Sequence, residues 1–252
     1  MIRAGDLDYA LARVAARFGE RPGEAAWRSL TVIRGLPALL DAARSTPFRR
    51  WVTGISPDAD PHAIEAALRA NVRALVDEVR LWMPPEWQRA IAWAGLLVEL
   101  PVVQYLARRG APLPWMRGDA VFGDLADDTA IPDAAGPLAP LAATWSDPDG
   151  FARAWRAEWQ RRVPRDARSD RALLGEFARI LDKHRGALAE PVARDGALPR
   201  RVLASRLTLL YRRAISDPAA VFIFLALSAL DLERLRGDLL RRAIFPRFGV
   251  AA

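Results

Sequence analysis

Two histidines, nine tryptophans and no cysteine bound the chemistry this chain could carry. His62 follows Asp60-Pro61 in the first turn of an expected helix and reads as a polar surface residue. His184 lies in Lys183-His184-Arg185, where neighbouring cations lower its basicity and work against metal binding. Without thiolates, and without a His-Glu-x-x-His spacing, a transition-metal site is not expected. The chain also lacks a glycine-rich phosphate loop and a Gly-x-Ser-x-Gly nucleophile elbow. Asp124, Asp127 and Asp128 are oxygen ligands of the right type for a hard cation, but they lack the spacing and glycine of an EF-hand, so a solvated acidic loop is expected. No catalytic, cofactor-binding or metal-binding residue is expected.

The tryptophans suggest contacts instead. Trp155 and Trp159 sit one helical turn apart on a segment that also carries Arg153, Arg156, Arg161 and Arg162. Aromatic rings beside arginine make up interface hot spots and nucleic-acid stacking platforms. They equally make up a helix with tryptophans inside and arginines in water. Trp82, Trp87 and Trp93 flank a Pro84-Pro85 corner, and Trp82 and Trp93 are expected in the core. Trp155, Trp159 and Trp115, with Arg156, are the contact candidates.

The elements that position these residues read as helices throughout. Asp60-Pro61, Asp147-Pro148 and Asp217-Pro218 each pair a cap residue with a proline ahead of an apolar-periodic run, and Thr46-Pro47 does so more weakly. After Pro61, the residues Ile64, Leu68, Val72, Leu75, Val76, Val79 and Met83 form one helical stripe. Helices are expected near 7–18, 23–33, 36–43, 61–83, 85–106 with a kink at Pro101, 148–162, 170–188, 199–214 and 218–243. The last is apolar almost all round from 219 to 230, then keeps Leu232, Leu235, Leu239 and Leu240 on one stripe amid charge. Its apolar run is too short for a bilayer, so it should be buried at one end and present a charged rim at the other. No run alternates with β-branched enrichment, which predicts an all-α multi-helix bundle of three-helix-like modules without a sheet.

A Pro- and Asp-rich stretch at 111–146, holding Asp124, Asp127, Asp128 and Asp133, reads as a long connection between an N-terminal bundle (1–110) and a C-terminal one (147–252). The two bundles could share one core. A weak echo between 99–110 and 231–242 hints at duplication. At 252 residues, 52% hydrophobic and 27% charged, the chain can bury a sizeable core. No signal peptide and no segment long enough to span a membrane are evident, so a cytoplasmic location is expected. The net charge is +7, and Lys183 is the only lysine. Acidic and basic residues are interspersed without a basic block, so a solvated arginine-rich surface is the plain reading, with attraction to phosphate, lipid headgroups or an acidic partner in reserve.

Three segments resemble the AC39 family, the central-stalk connectors of V-type and archaeal-type rotary ATPases. They are Gly5-Asp-Leu-Asp-Tyr-Ala-Leu-Ala-Arg-Val14; Leu36-Pro-Ala-Leu-Leu-Asp-Ala-Ala-Arg-Ser-Thr-Pro-Phe48; and Leu230-Asp-Leu-Glu-Arg-Leu-Arg236. In the third, Asp231 stands where the family has glutamate and Arg234 where it has asparagine. The resemblance is thin mid-chain, and this chain is shorter than typical members. It implies an all-helical, funnel-like connector that caps the membrane rotor ring and receives the central stalk without catalysing anything. Asp231 and Arg236 are the residues it would carry over, as partner contacts or as ties within the bundle. The expected partners are the proteins of the rotor ring and central stalk, at the cytoplasmic face of the inner membrane. The alternatives are a basic helical nucleic-acid-binding protein, marked by salt-dependent affinity, and a helical enzyme of unrecognised family.

Overall fold

The computed structural model of the chain describes residues 4–127, 136–165, 171–189 and 197–245. The protein is all-α, and no strand occurs among the described residues. In chain order the α-helices are α1 (Ala4–Gly19), α2 (Glu24–Thr31), α3 (Leu36–Arg44), α4 (Arg49–Val52), α5 (Pro61–Trp82), α6 (Pro85–Gly95), α7 (Leu100–Ala107), α8 (Gly123–Asp127), α9 (Phe151–Arg162), α10 (Arg171–Ala189), α11 (Ala197–Arg213) and α12 (Ala219–Ile244).

The start signals act as their chemistry dictates. Asp60 Oδ1 accepts from the backbone N–H groups of His62 (2.7 Å) and Ala63 (2.8 Å), capping α5. Asp217 Oδ1 accepts from the Ala219 N–H at 2.7 Å ahead of α12. Asp147 Oδ1 accepts from the Gly150 N–H at 3.1 Å, so it caps the 3-10 turn Pro148–Gly150 that leads into α9. Thr46 differs. Its hydroxyl donates back to the Ala43 carbonyl at 2.8 Å and closes the end of α3 instead of opening the next helix.

Every member of the α5 stripe, from Ile64 to Met83, is buried. Pro101 sits in the first turn of α7, where its missing N–H costs little, and the residues before it tighten into the 3-10 turn Leu96–Glu99. The chain therefore stays helical across the expected kink, and Pro85–Ala107 forms a 23-residue helical stretch that contains an 18-residue window of mean hydropathy 1.6. By length and composition it could cross a bilayer, which corrects the expectation that no segment is long enough. In this structure 39% of that window is buried in protein.

Two compact units emerge. The first is drawn from Met1–Arg21, Val76–Ala92 and Val163–Glu233, and the second from Pro22–Leu75, Trp93–Arg162 and Arg234–Ala252. These are interleaved stretches, whereas composition places the division at 111–146. The long helices α5 and α12 give residues to both units. The 111–146 stretch also does more than connect, because Trp115, Met116, Phe122, Leu138 and Leu141 are buried within the second unit. In the first unit, Phe18 of α1 stacks on Tyr211 of α11 with ring centroids 3.8 Å apart and planes 4° apart. In the second, Trp27 meets Phe48 edge-on at 4.5 Å.

Candidate interaction surface

The tryptophans expected as contacts lie inside. Trp155 is 4% exposed, Trp159 2% and Trp115 7%. In the second unit, the Trp93 indole Nε1 donates to the Trp155 carbonyl at 2.9 Å, and the Trp155 indole Nε1 donates to the Trp93 carbonyl at 3.1 Å. Arg162 lies over the Trp93 ring at 4.3 Å while its Nε donates to Glu158 Oε1 at 2.6 Å, and Arg161 also pairs with Glu158. Arg156 is half-buried and has a partner of its own. The aromatic–arginine pattern on α9 is thus a packing device. Trp93 is buried as expected, but Trp82 is only half-buried, with Arg13 4.6 Å from its ring.

A second arginine cluster does not announce itself in the sequence. Glu65, Arg69 and Arg73 fall four apart along α5, beside the apolar stripe of Ile64, Leu68 and Val72. Arg69 Nη2 donates to Glu65 Oε1 at 2.8 Å and Arg69 also pairs with Glu99, which is 1% exposed. Arg73 Nη2 donates to Glu99 Oε1 at 2.8 Å. A fork of two bonds, 2.8 and 3.0 Å, runs from Arg73 to Asp119. Asp119 Oδ1 further accepts from the N–H groups of Val121 (2.9 Å) and Phe122 (3.1 Å). Burial opposes the Asp119 charge, but these bonds and the Arg73 cation outweigh it and hold the carboxyl below its ordinary range. Burial likewise opposes the Arg73 charge, and the Asp119 hydrogen bond with the Glu99 charge outweighs it, so its pKa rises. Arg69 also stacks 4.4 Å from the Trp115 ring. The i, i+4, i+8 charge spacing beside a core stripe is the one signal of this cluster that the sequence holds.

The charged rim of α12 is consumed in the same manner. Arg236 Nε donates to Glu65 Oε2 at 2.6 Å within the second unit. Asp231 is 9% exposed and accepts from Arg21 Nε at 2.7 Å within the first. Arg234 pairs with Glu24 at 2.8 Å and lies 4.3 Å from the Trp27 ring. Arg242, 6% exposed, donates to the Ile33 carbonyl at 2.6 and 2.9 Å, just beyond the C-terminus of α2, where a cation is favoured. Asp231 and Arg236 are ties within their units.

His62 is exposed. Asp124 is exposed as well, while Asp128 and Asp133 lie outside the described residues. No group of three His, Asp or Glu side chains that could hold a metal ion occurs among the described residues.

One surface stands apart because basic residues on it far outnumber acidic ones. In the first unit α10 and α11 pack against each other and run antiparallel: Arg213 at the end of α11 pairs with Glu176 early in α10 at 2.9 Å, and Arg200 at the start of α11 faces His184 late in α10. Together they hold nine basic and two acidic residues; the rest of the chain holds 28 of each, so these two helices carry the whole excess of +7. α11 contains no acidic residue at all. Arg201, Arg206 and Arg212 are exposed and form no ion pair with a described residue. His184, half-buried, is held below its ordinary pKa by burial first and by the Arg200 charge second. The interspersion seen along the sequence hides this asymmetry, because acidic and basic residues are equal in number elsewhere and are not here. No protein-family model matches the chain, no curated protein is similar to it, and no solved structure matches its fold.

Proposed function

We propose that the chain is a non-catalytic interaction component of a membrane-associated complex, most specifically a connector like the rotary-ATPase central-stalk cap that seats on a rotor ring. The observation that carries the interaction reading is the α10–α11 surface. An excess of +7 on two helices is an electrostatic footprint for an anionic partner. The resemblance of the segments at 5–14, 36–48 and 230–236 supplies the finer proposal of rotor ring and central stalk as partners, at the cytoplasmic face of the inner membrane. Helices tied by buried ion pairs suit a part that transmits force. The alternative of nucleic-acid binding would use the same arginines, but the aromatic platform expected for it at Trp155 and Trp159 is inside the second unit.

The test is to tag the protein in its native host, solubilise membranes gently and identify what co-purifies. Rotor-ring and stalk proteins in fixed ratio are the expected result. A different membrane complex keeps the interaction class and discards the rotor. Protein recovered alone from the soluble fraction overturns both.

A further inference from the structure

α11 is apolar on two opposite faces. Leu203, Leu207, Leu210 and Tyr211 are buried, and Tyr211 is fixed by its stack on Phe18. Leu198, Val202 and Leu209 face outward at 57%, 42% and 60% exposure. At 3.6 residues per turn these three fall within about 40° of arc and span about 17 Å along the helix. Arg201 and Arg212 border the stripe on one side, Arg206 and the Glu176-paired Arg213 on the other, and Ser205 lies at its edge. A soluble helix that needs only solvation would place charge at the centre of its outer face. Here apolar side chains hold the centre and guanidinium groups hold both margins.

We infer that the outer face of α11 is a docking surface for an anionic lipid bilayer. Leu198, Val202 and Leu209 would sink below the headgroup plane. The arginine stems would lie along the same apolar surface and bring their guanidinium groups to the phosphates, which they match with paired hydrogen bonds. A protein partner is a poorer fit. Three apolar side chains on one helix fall far short of the roughly 800 Å² per partner that a stable protein interface buries. A bilayer needs no shaped counterpart and rewards each arginine near its surface. This inference rests on the reading of the chain as part of a membrane-associated complex and names one surface through which it meets the membrane.

The experiment is flotation of the purified full-length protein with vesicles of phosphatidylcholine alone and of phosphatidylcholine mixed with phosphatidylglycerol, at low and physiological salt. Wild-type protein should float with the anionic vesicles and not with the neutral ones. L198S/L209S, which leaves the charge unchanged, should lower the partition coefficient at least tenfold. R201Q/R212Q should lower it about thirtyfold at low salt, taking about 1 kcal/mol per arginine near an anionic surface. All four positions are exposed, so circular dichroism and thermal midpoint should match wild type in both variants. Absence of anionic-vesicle binding at low salt overturns the inference. So does binding that L198S/L209S leaves intact, which would indicate a purely electrostatic surface suited to an acidic protein. Co-purification of partner proteins does not involve this assay. Lost vesicle binding with partners retained removes the docking surface alone, and the reverse removes the connector alone.

Discussion

Arg69, Arg73 and Arg162 in the second unit and Arg201, Arg206 and Arg212 on α11 in the first are the same side chain on helices of comparable kind, yet they meet opposite surroundings. The former reach Glu65, Glu99, Asp119 and Glu158, and two of them also lie over tryptophan rings. The latter stand on a helix without acids and form no ion pair with a described residue. An arginine count therefore says little about function. What separates a structural arginine from an available one is whether a buried carboxylate lies within reach. Such carboxylates are concentrated in the second unit.

The contrast can be broken most directly at Trp155. Trp155→Ala removes a buried ring and one of the two reciprocal indole bonds, and should destabilise the protein by about 3–5 kcal/mol in chemical denaturation; a loss below about 1 kcal/mol would show that α9 is not packed as described. Glu99→Ala leaves Arg69 and Arg73 without their shared buried partner and should cost about 3 kcal/mol by the same measurement. Asp119→Asn should cost about 1–2 kcal/mol at neutral pH. The Asp119 pKa is lowered on folding, so its contribution is full above the ordinary carboxylate pKa and is lost as pH falls through the lower folded value. The substitution should therefore flatten the acid limb of a stability-against-pH curve. On the α11 side, Leu209→Ser should change stability by no more than about 0.5 kcal/mol, since its side chain faces solvent. The smallest effect belongs to His184. Its pKa is also lowered on folding, so the unfolded chain binds the extra proton first as pH drops below about 6.5. His184→Asn should remove a slight loss of stability that wild type shows on acidification in that range.

The helices are legible because their signals are local. Asp60 and Asp217 cap where cap chemistry places them, and the stripe from Ile64 to Met83 is buried throughout. What escapes a sequence reading is non-local. Which side of α9 faces inward depends on Trp93, 62 residues away, and nothing in the α9 sequence records that partner. The 111–146 stretch reads as a connection because proline and aspartate dominate it, yet a few large side chains, Trp115 and Phe122 among them, suffice to seat it. The rim of α12 looks available because its ions are dense, and Glu24, Glu65 and Arg21, all distant in sequence, take them up. The α11 surface is hidden for the converse reason. Its arginines look ordinary until the charges elsewhere are seen to cancel, and Leu198, Val202 and Leu209 look like core until Leu203, Leu207 and Leu210 are found to occupy that face.

The exchange of hydrogen bonds between Trp93 and Trp155 also has a spectroscopic consequence. Each indole proton is buried and bonded to the other residue's backbone carbonyl, so each trades with deuterium only when its own bond opens. Two indole resonances should therefore persist long after transfer to heavy water, and they fade at one rate if a single opening of the second unit frees both. A shared rate would time the opening of the second unit, and two different rates would report local openings around each ring.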